Sequence, residues 1–312
     1  MKEKEIIQPV ARELLKKDLS DDKFLRHTHK GHNEIYVIDA HNSPDAMREV
    51  ARLREVSFRQ AGGGTGKELD MDDYDTASPP YQQLIVWDPQ AQEIVGGYRY
   101  ILCRDVEKNA RGIPKLATAG LFNFSAEFIK DYLPNTIELG RSFVQPAYQP
   151  SRDNRKSIYS LDNLWDGLGA LVVDYPEIKY FFGKVTMYTH FNAFARDLIL
   201  YFLHRFFPDK DNLVYPIEPL PLKHPEEELE KVFKGNDYEK NFKILFQEVR
   251  KCNENIPPLI NSYMSLSPTM KTFGTAFNEY FGGVEETAIL INIDDIYEKK
   301  KERHIKTYAG NK

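Results

Sequence analysis

Glu138 and Arg141 stand three residues apart in Ile137-Glu138-Leu139-Gly140-Arg141-Ser142-Phe143-Val144, an otherwise mainly apolar run. Charges in such a run need partners or a purpose, because burying an unpaired one is costly. Strand alternation puts Glu138 and Gly140 on one face, and Leu139, Arg141 and Phe143 on the other. Pro146 then ends the ladder. Two more cations interrupt apolar stretches: Arg54 in RLREVSF and Arg99 in GGYRY. The acidic run Asp70-Met71-Asp72-Asp73-Tyr74-Asp75 could pair with such arginines or receive a substrate ammonium. Beyond the strand, Arg152, Arg155 and Lys156 cluster in a loop ahead of a helix, a ready phosphate or pyrophosphate site. A charged strand ending above a basic loop that opens a helix is a candidate active-site floor.

Three other patterns fail on their own chemistry. Gly62-Gly63-Gly64-Thr65-Gly66-Lys67 suggests a phosphate loop, but Ala61 stands where its first glycine belongs. Glu68 also stands where Ser or Thr must hold magnesium, and a helix precedes the run where a strand is required. The acidic run lacks the sixth-position glycine and distant Glu of a calcium loop. His27, His29 and His32 lie close together, but no acid or cysteine completes a ligand set, so no metal site is expected.

The elements that must position these residues follow from periodicity. Glu34–Asp39 reads as a strand. A helix over 44–60 has Ser43 as N-cap and Pro44 at its first position. It carries Met47, Val50, Ala51, Arg54 and Phe58 near one face. Gln82–Trp87 and Ile94–Cys103 form a hairpin, and 137–144 a further strand. Then come a helix over 157–173, a strand over 180–188, an apolar helix over 191–207, and helical stretches at 226–233, 238–252 and 258–266. A final strand covers 286–293, and Lys299–Arg303 reads as a solvated basic tail. Upstream, 6–18 reads as an amphipathic helix. We therefore expect a helical extension over 1–33 and one domain over 34–312. Strands and helices alternate through 34–205, which predicts an α/β or α+β fold around one mixed sheet.

The chain has 312 residues, enough for one large or two small domains. Its net charge of −5 indicates no general polyanion binder, so no nucleic-acid partner is expected. Cys103 and Cys252 are far apart with no CxxC, which fits a reducing, cytoplasmic setting. The N-terminus shows no signal-peptide pattern, and no apolar run is long enough to span a bilayer.

The ordered set of motifs resembles a known family. RLREVSFR with Arg54 and Phe58, Asp72-Asp73-Tyr74-Asp75, QQLIVWD, Arg99 in GGYRY, ELGRSFV, LWDGL and PPLINSY occur in the order seen in GNAT-related N-acyltransferases. These are the hemolysin-like enzymes that make ornithine or glycine lipids, and they are similar in turn to acyl-homoserine-lactone synthases. The resemblance covers about residues 34–293. It implies a GNAT-like fold whose mixed central sheet, flanked by helices, contains a splayed strand pair. It also implies transfer of a (3-hydroxy)fatty acyl group from a thioester to an amino acid's α-amine.

In that chemistry Glu138 is the candidate base, or else an ion-pair partner of Arg141, Arg99 or Arg54. Arg54, Asp72, Asp75, Arg99 and Arg141 look like the charged set shared with the lactone synthases. Backbone donors near Ser142, Phe143 and Val144 would polarise the thioester carbonyl. Arg152, Arg155 and Lys156 would take the pantetheine phosphate or an acidic carrier protein. No permanently bound cofactor is implied; the co-substrate is an acyl carrier protein or coenzyme A thioester. The absence of a clear QxxGxG run favours the carrier protein. Phe181, Phe182, Phe191, Phe194 and Leu198 are candidates for the acyl pocket. A lipid product leaves room for peripheral membrane contact through 6–18 or 191–207. Two alternatives stay open: a homoserine-lactone-type signal synthase, and a non-catalytic lipid- or membrane-binding protein on the same scaffold.

Overall fold

A computed structural model describes residues 3–149 and 159–310. Its strands are β1 (Phe24–His27), β2 (Glu34–Ile38), β3 (Gln82–Asp88), β4 (Glu93–Leu102), β5 (Phe122–Phe124), β6 (Thr136–Val144), β7 (Tyr180–Met187), β8 (Val214–Pro216), β9 (Lys271–Asn278) and β10 (Val284–Asn292). Its α-helices are α1 (Arg12–Asp18), α2 (Pro44–Gln60), α3 (Asp73–Thr76), α4 (Ser160–Asp174), α5 (Ala193–Phe206), α6 (Glu226–Glu230), α7 (Tyr238–Lys251), α8 (Pro258–Met264) and α9 (Glu298–His304). Among the described residues, eight strands form one mixed sheet in the order β1-β2-β3-β4-β6-β7-β10-β9. Neighbours run antiparallel except β6 and β7. This is the mixed α/β architecture expected from the sequence.

Alternation within the strands sends side chains into separate cores. Leu84, Val86, Tyr98, Leu139 and Val185 pack with α4, α5, α7 and α8 on one side. Ile85, Trp87, Ile94 and Phe143 pack with α1 and α2 on the other. A third cluster, which includes Tyr81, Ile101, Phe122, Phe182 and Leu290, continues that second side past β6. The apolar residues of α5, from Leu198 to Leu203, lie in the first core, so its apolar side is already covered. Among the described residues no helix is long and apolar enough to cross a membrane.

Several local expectations change. Ser43 does not cap α2; its hydroxyl donates to the Asp18 carbonyl at 3.2 Å. The Asp18 carboxylate caps instead, accepting from the Asp45 and Ala46 N–H groups at 2.8 and 2.9 Å. This long-range cap replaces the local one because α1 ends beside the start of α2. The first helix begins at Arg12 rather than near Ile6. Upstream, the chain runs extended along the glycine-rich loop, where Lys4 N–H donates to Gly66 and Ile7 N–H to Glu68. β1, β5, β8 and β9 are additional to the expected strands, β5 and β8 pairing as a separate two-stranded sheet. β1 is four residues long, and Gly274, at φ +86°, breaks the alternation of β9. The basic tail is helical as α9. Buried His304 meets Asp166 at 2.8 Å and Arg303 meets Asp162 at 2.7 Å, pinning α9 to α4.

Candidate active site

The parallel β6–β7 ladder runs from Thr136↔Tyr180 to Leu139↔Gly183 and stops there. Both strands continue, β6 to Val144 and β7 to Met187, so they part beyond that point. A cavity of about 350 Å³ opens at the parting, lined by Leu139 to Ser142 on β6 and by Gly183, Lys184 and Thr186 on β7. This is the splayed strand pair that the resemblance implies.

The β6 strand also carries a bulge. β4 pairs Gly97 with Phe143 but Arg99 with Gly140, so β6 has one extra residue across this step. Arg141 takes it up at φ +48°, a left-handed conformation. The bulge corrects the simple alternation. Arg141 and Phe143 no longer share the face of Leu139; they turn to the α2 side, where Arg99 and Glu138 already lie. Gly96 permits the close crossing, since a Cβ there would sit 2.3 Å from the Phe143 carbonyl oxygen.

Arg141 joins an ionic network. Arg54, wholly enclosed, meets Asp70 at 3.1 Å and grips Asp75 through two donors, each at 3.2 Å. Arg99 meets Asp72 at 2.7 Å and Asp75 at 3.3 Å, over the rings of Tyr74 and Tyr81. Arg141 meets Asp70 at 2.8 Å and Asp72 at 3.6 Å and stacks on Phe281 at 4.3 Å. α3 presents the acids: Asp72 caps it, accepting from Tyr74 and Asp75 N–H, and Asp75 reaches back to the Asp72 N–H. Burial pushes the Asp70 carboxyl up, but Arg141 and Arg54 override it and hold the group far below the usual carboxylate range. Asp75 is lowered in the same way, with burial opposed by Arg54 and Arg99. Burial alone would lower Arg99; Asp75 and Asp72 raise it.

The expected charged set thus does come together, with Asp70 as a member the sequence reading did not assign.

Glu138 stands apart from that network. Thr118 donates its N–H at 2.9 Å and its hydroxyl at 2.6 Å to one carboxyl oxygen. Tyr81 donates its hydroxyl to the other in a short bond, and Ala117 N–H adds a contact at 3.3 Å. The alternative of an ion pair with Arg54, Arg99 or Arg141 does not appear among the described residues. Burial, then the Glu138 charge, push the Tyr81 phenol far above its usual range, so it serves as a donor. Glu138 is 1 % exposed, yet it lines the cavity with Arg99, Arg141 and Tyr81. Tyr81 and Thr118 carried no sequence signal, since one follows a proline turn and the other lies in a loop.

Ser142 faces the cavity opposite Tyr98 and Tyr263, whose hydroxyls are neighbours. Tyr263 and Leu259 bring the PPLINSY segment to the same cavity. The Phe143 ring is buried in the α2-side core. Gln145 N–H donates to Val95 on β4 at 3.0 Å. Strand alternation therefore turns the Val144 N–H the other way, toward the parting. Arg152, Arg155 and Lys156 lie outside the described residues.

A second cavity of about 570 Å³ adjoins the first and shares Tyr74, Tyr81 and Gly120 with it. Ala77, Pro79, Ile101, Val106, Ile113 and Leu116 give it an apolar lining. None of Phe181, Phe182, Phe191, Phe194 or Leu198 lines either cavity. Phe181 and Leu198 fill the large core, Phe182 fills the third cluster, and Phe191 and Phe194 pack against the large core. They are apolar and well placed in the chain, but the sheet commits them to packing.

The chain is similar to known acyltransferases. Residues 53–155 match the family model described as an acetyltransferase (GNAT) domain. A glycine N(alpha)-acyltransferase of Bacteroides thetaiotaomicron is 57% identical over 304 residues, covering 97% of this chain and 90% of its own length. One from Phocaeicola vulgatus is 55% identical over 305 residues, covering 98% and 94%. Among solved structures, a CoA-dependent acyl-homoserine lactone synthase aligns over 87% of this chain and 89% of its own, at 12% identity and TM-score 0.39. An N-acyl amino acid synthase from uncultured soil microbes aligns over 88% and 95%, at 9% identity and TM-score 0.37.

Proposed function

The chain belongs to the glycine N(alpha)-acyltransferase family and is a GNAT-type amino-acid N-acyltransferase; from that premise we propose that it joins a fatty acyl group, carried as a thioester, to the α-amine of glycine. Glycine comes from the two relatives, which bear its name and align along nearly their whole length. The observation that carries the reading is Glu138: a buried carboxyl at the parting of β6 and β7, facing a cavity and paired with no cation among the described residues. An ammonium supplies the missing charge.

The chemistry follows from this placement. An α-ammonium must lose a proton before it can attack, and its reference pKa of about 8 puts that within reach of a carboxylate near neutral pH. Glu138 takes the proton directly or through the Tyr81 hydroxyl. The amine attacks the thioester carbonyl, and the C–N bond forms as the C–S bond breaks. The oxygen gathers negative charge; a backbone N–H at the parting, for which strand alternation supports Val144, would stabilise it. The nitrogen gives up its second proton to the departing thiolate, which leaves as the thiol along the gap between the strands. The ionic network keeps Arg99 and Arg141 at the cavity wall and fixes the bulge.

The acyl chain enters the second, apolar cavity past Tyr74 and Gly120. A (3-hydroxy)fatty acyl donor on an acyl carrier protein fits the lipid-forming branch of the family; coenzyme A is the competing carrier. The test is incubation of the protein with glycine and fatty acyl thioesters of either carrier, with N-acylglycine read by mass spectrometry. Product from the carrier-protein thioester at far higher kcat/KM than from coenzyme A supports the full reading. No N-acylglycine from either donor refutes it.

A further inference from the structure

Three adjoining strands set Arg99, Gly140 and Lys184 in one row. β4 pairs Arg99 with Gly140. The β6–β7 ladder ends at Leu139↔Gly183, which brings Lys184 alongside Gly140 at the first step of the parting. Cross-strand partners share a face. Glu138 pairs with Phe182, so Lys184, two residues further, rises on the Glu138 side. All four positions line the same cavity.

The middle of this row is empty. Nothing lies within 4 Å of where a Gly140 Cβ would stand. Gly140 is also absent from the glycines with positive φ. Neither the backbone nor packing demands glycine there, in contrast to Gly96. What the glycine leaves is a slot one side chain wide between Arg99 and Lys184, two residues along the strand from Glu138.

We infer that this slot receives the α-carboxylate of the amino-acid substrate, with Lys184 as its binding cation; the inference rests on the N-acyltransferase reading above. Spare donors, not net charge, single out Lys184, whose pairing with Glu286 is one cation to one anion. Arg54, Arg99 and Arg141 face Asp70, Asp72 and Asp75, three cations against three anions. Among the described residues Lys184 meets a single carboxylate, Glu286, at 2.6 Å. Glu286 is itself held by the Asn278 amide at 2.9 Å. A lysine ammonium has three donors. Glu286 takes one and fixes the ammonium over the cavity, which leaves the others for a ligand. Glu138 and Gly140 are separated by about 7 Å along the strand. An α-amino acid whose ammonium hydrogen-bonds toward Glu138 extends its carboxylate toward Gly140, the hydrogen bonds at its two ends making up the rest of that distance.

The sequence held a signal for this set. Lys184 is a lone charge in the apolar strand YFFGKVTM, as Arg99 is in its own. Glu286 opens the final strand, two residues from the apolar run AILI.

The test uses Gly140→Ala, Lys184→Met and Lys184→Arg in the intact protein. Thiol release from a fatty acyl thioester is followed while glycine and donor are titrated separately. We expect the KM for glycine to rise at least tenfold in Gly140→Ala and Lys184→Met. The donor KM should stay within twofold, and Lys184→Arg should recover part of the loss. Gly140→Ala has room for its methyl group, so it keeps the test open if Lys184→Met folds poorly. An unchanged glycine KM in Gly140→Ala overturns the inference and leaves the proposed function standing. A donor KM raised as much as that for glycine also overturns it, because the slot would then serve the acyl arm. Absence of glycine-dependent thiol release by the wild type refutes the function itself, and this inference with it.

Discussion

At the scale of single residues, the site separates charge that is already balanced from charge that awaits a partner. Arg54 shows the first kind. It is enclosed and bonded to Asp70 and Asp75, so its removal leaves two buried carboxylates with fewer cations. Breaking such a set from one side costs about 3–5 kcal/mol. Arg54→Met should therefore lower stability by that order in urea unfolding, and a loss below about 1 kcal/mol would show the network to be unimportant. Tyr81 serves the second kind, since its hydroxyl donates to Glu138. Tyr81→Phe removes one donor to a carboxyl, worth about 1.5–3 kcal/mol. We expect a matching stability loss together with slower acyl transfer, measured by urea titration and thiol release on the same sample.

At the scale of elements, the bulge in β6 and the parting from β7 make the site. The charged residues in ELGRSFV could be read from the sequence because charges in an apolar run stand out. The face of Arg141 could not. Alternation is a local rule, and the extra residue is visible only against the β4 register. Likewise Asp70 sits in an acidic run where nothing local marks which carboxylate points inward. Gly96 carries the bulge geometrically. Gly96→Ala places a methyl against the Phe143 carbonyl and should cost about 1–3 kcal/mol. It should also lose more activity than its melting temperature explains, because Arg141 shifts with the bulge. An active Gly96→Ala enzyme would separate the bulge from function. For the second cavity, Ala119→Phe fills space beside Tyr74 and Gly120. It should shift donor preference to shorter acyl chains, read as the ratio of kcat/KM for long and short thioesters; an unchanged ratio would place the chain elsewhere.

At the scale of the whole molecule, the alternation of strands and helices through 34–205 was enough to predict a mixed sheet. The edge strands β1 and β9 escaped because one is short and the other is broken by Gly274. The acyl pocket escaped because apolar residues do not declare whether they line a core or a cavity. The ionic network also ties global stability to pH. Asp70 and Asp75 have folded pKa values below their unfolded value of about 3.9. Their contribution is therefore complete above that value and is lost as pH falls through it toward the folded values. Urea midpoints should hold between pH 7 and 5 and fall below pH 4, and less steeply in a variant lacking both aspartates. A wild type whose midpoint does not change down to pH 3 would contradict the assigned ionisation.

The central claim is that Glu138, at the parting of β6 and β7, handles the proton of the attacking amine. Glu138→Gln keeps the size of the side chain and removes the carboxylate. Steady-state thiol release with glycine and a fatty acyl thioester compares it with the wild type directly. The account predicts a fall in kcat of about 10²–10⁴-fold, with the donor KM unchanged. A Glu138→Gln enzyme with kcat within threefold of the wild type would contradict it.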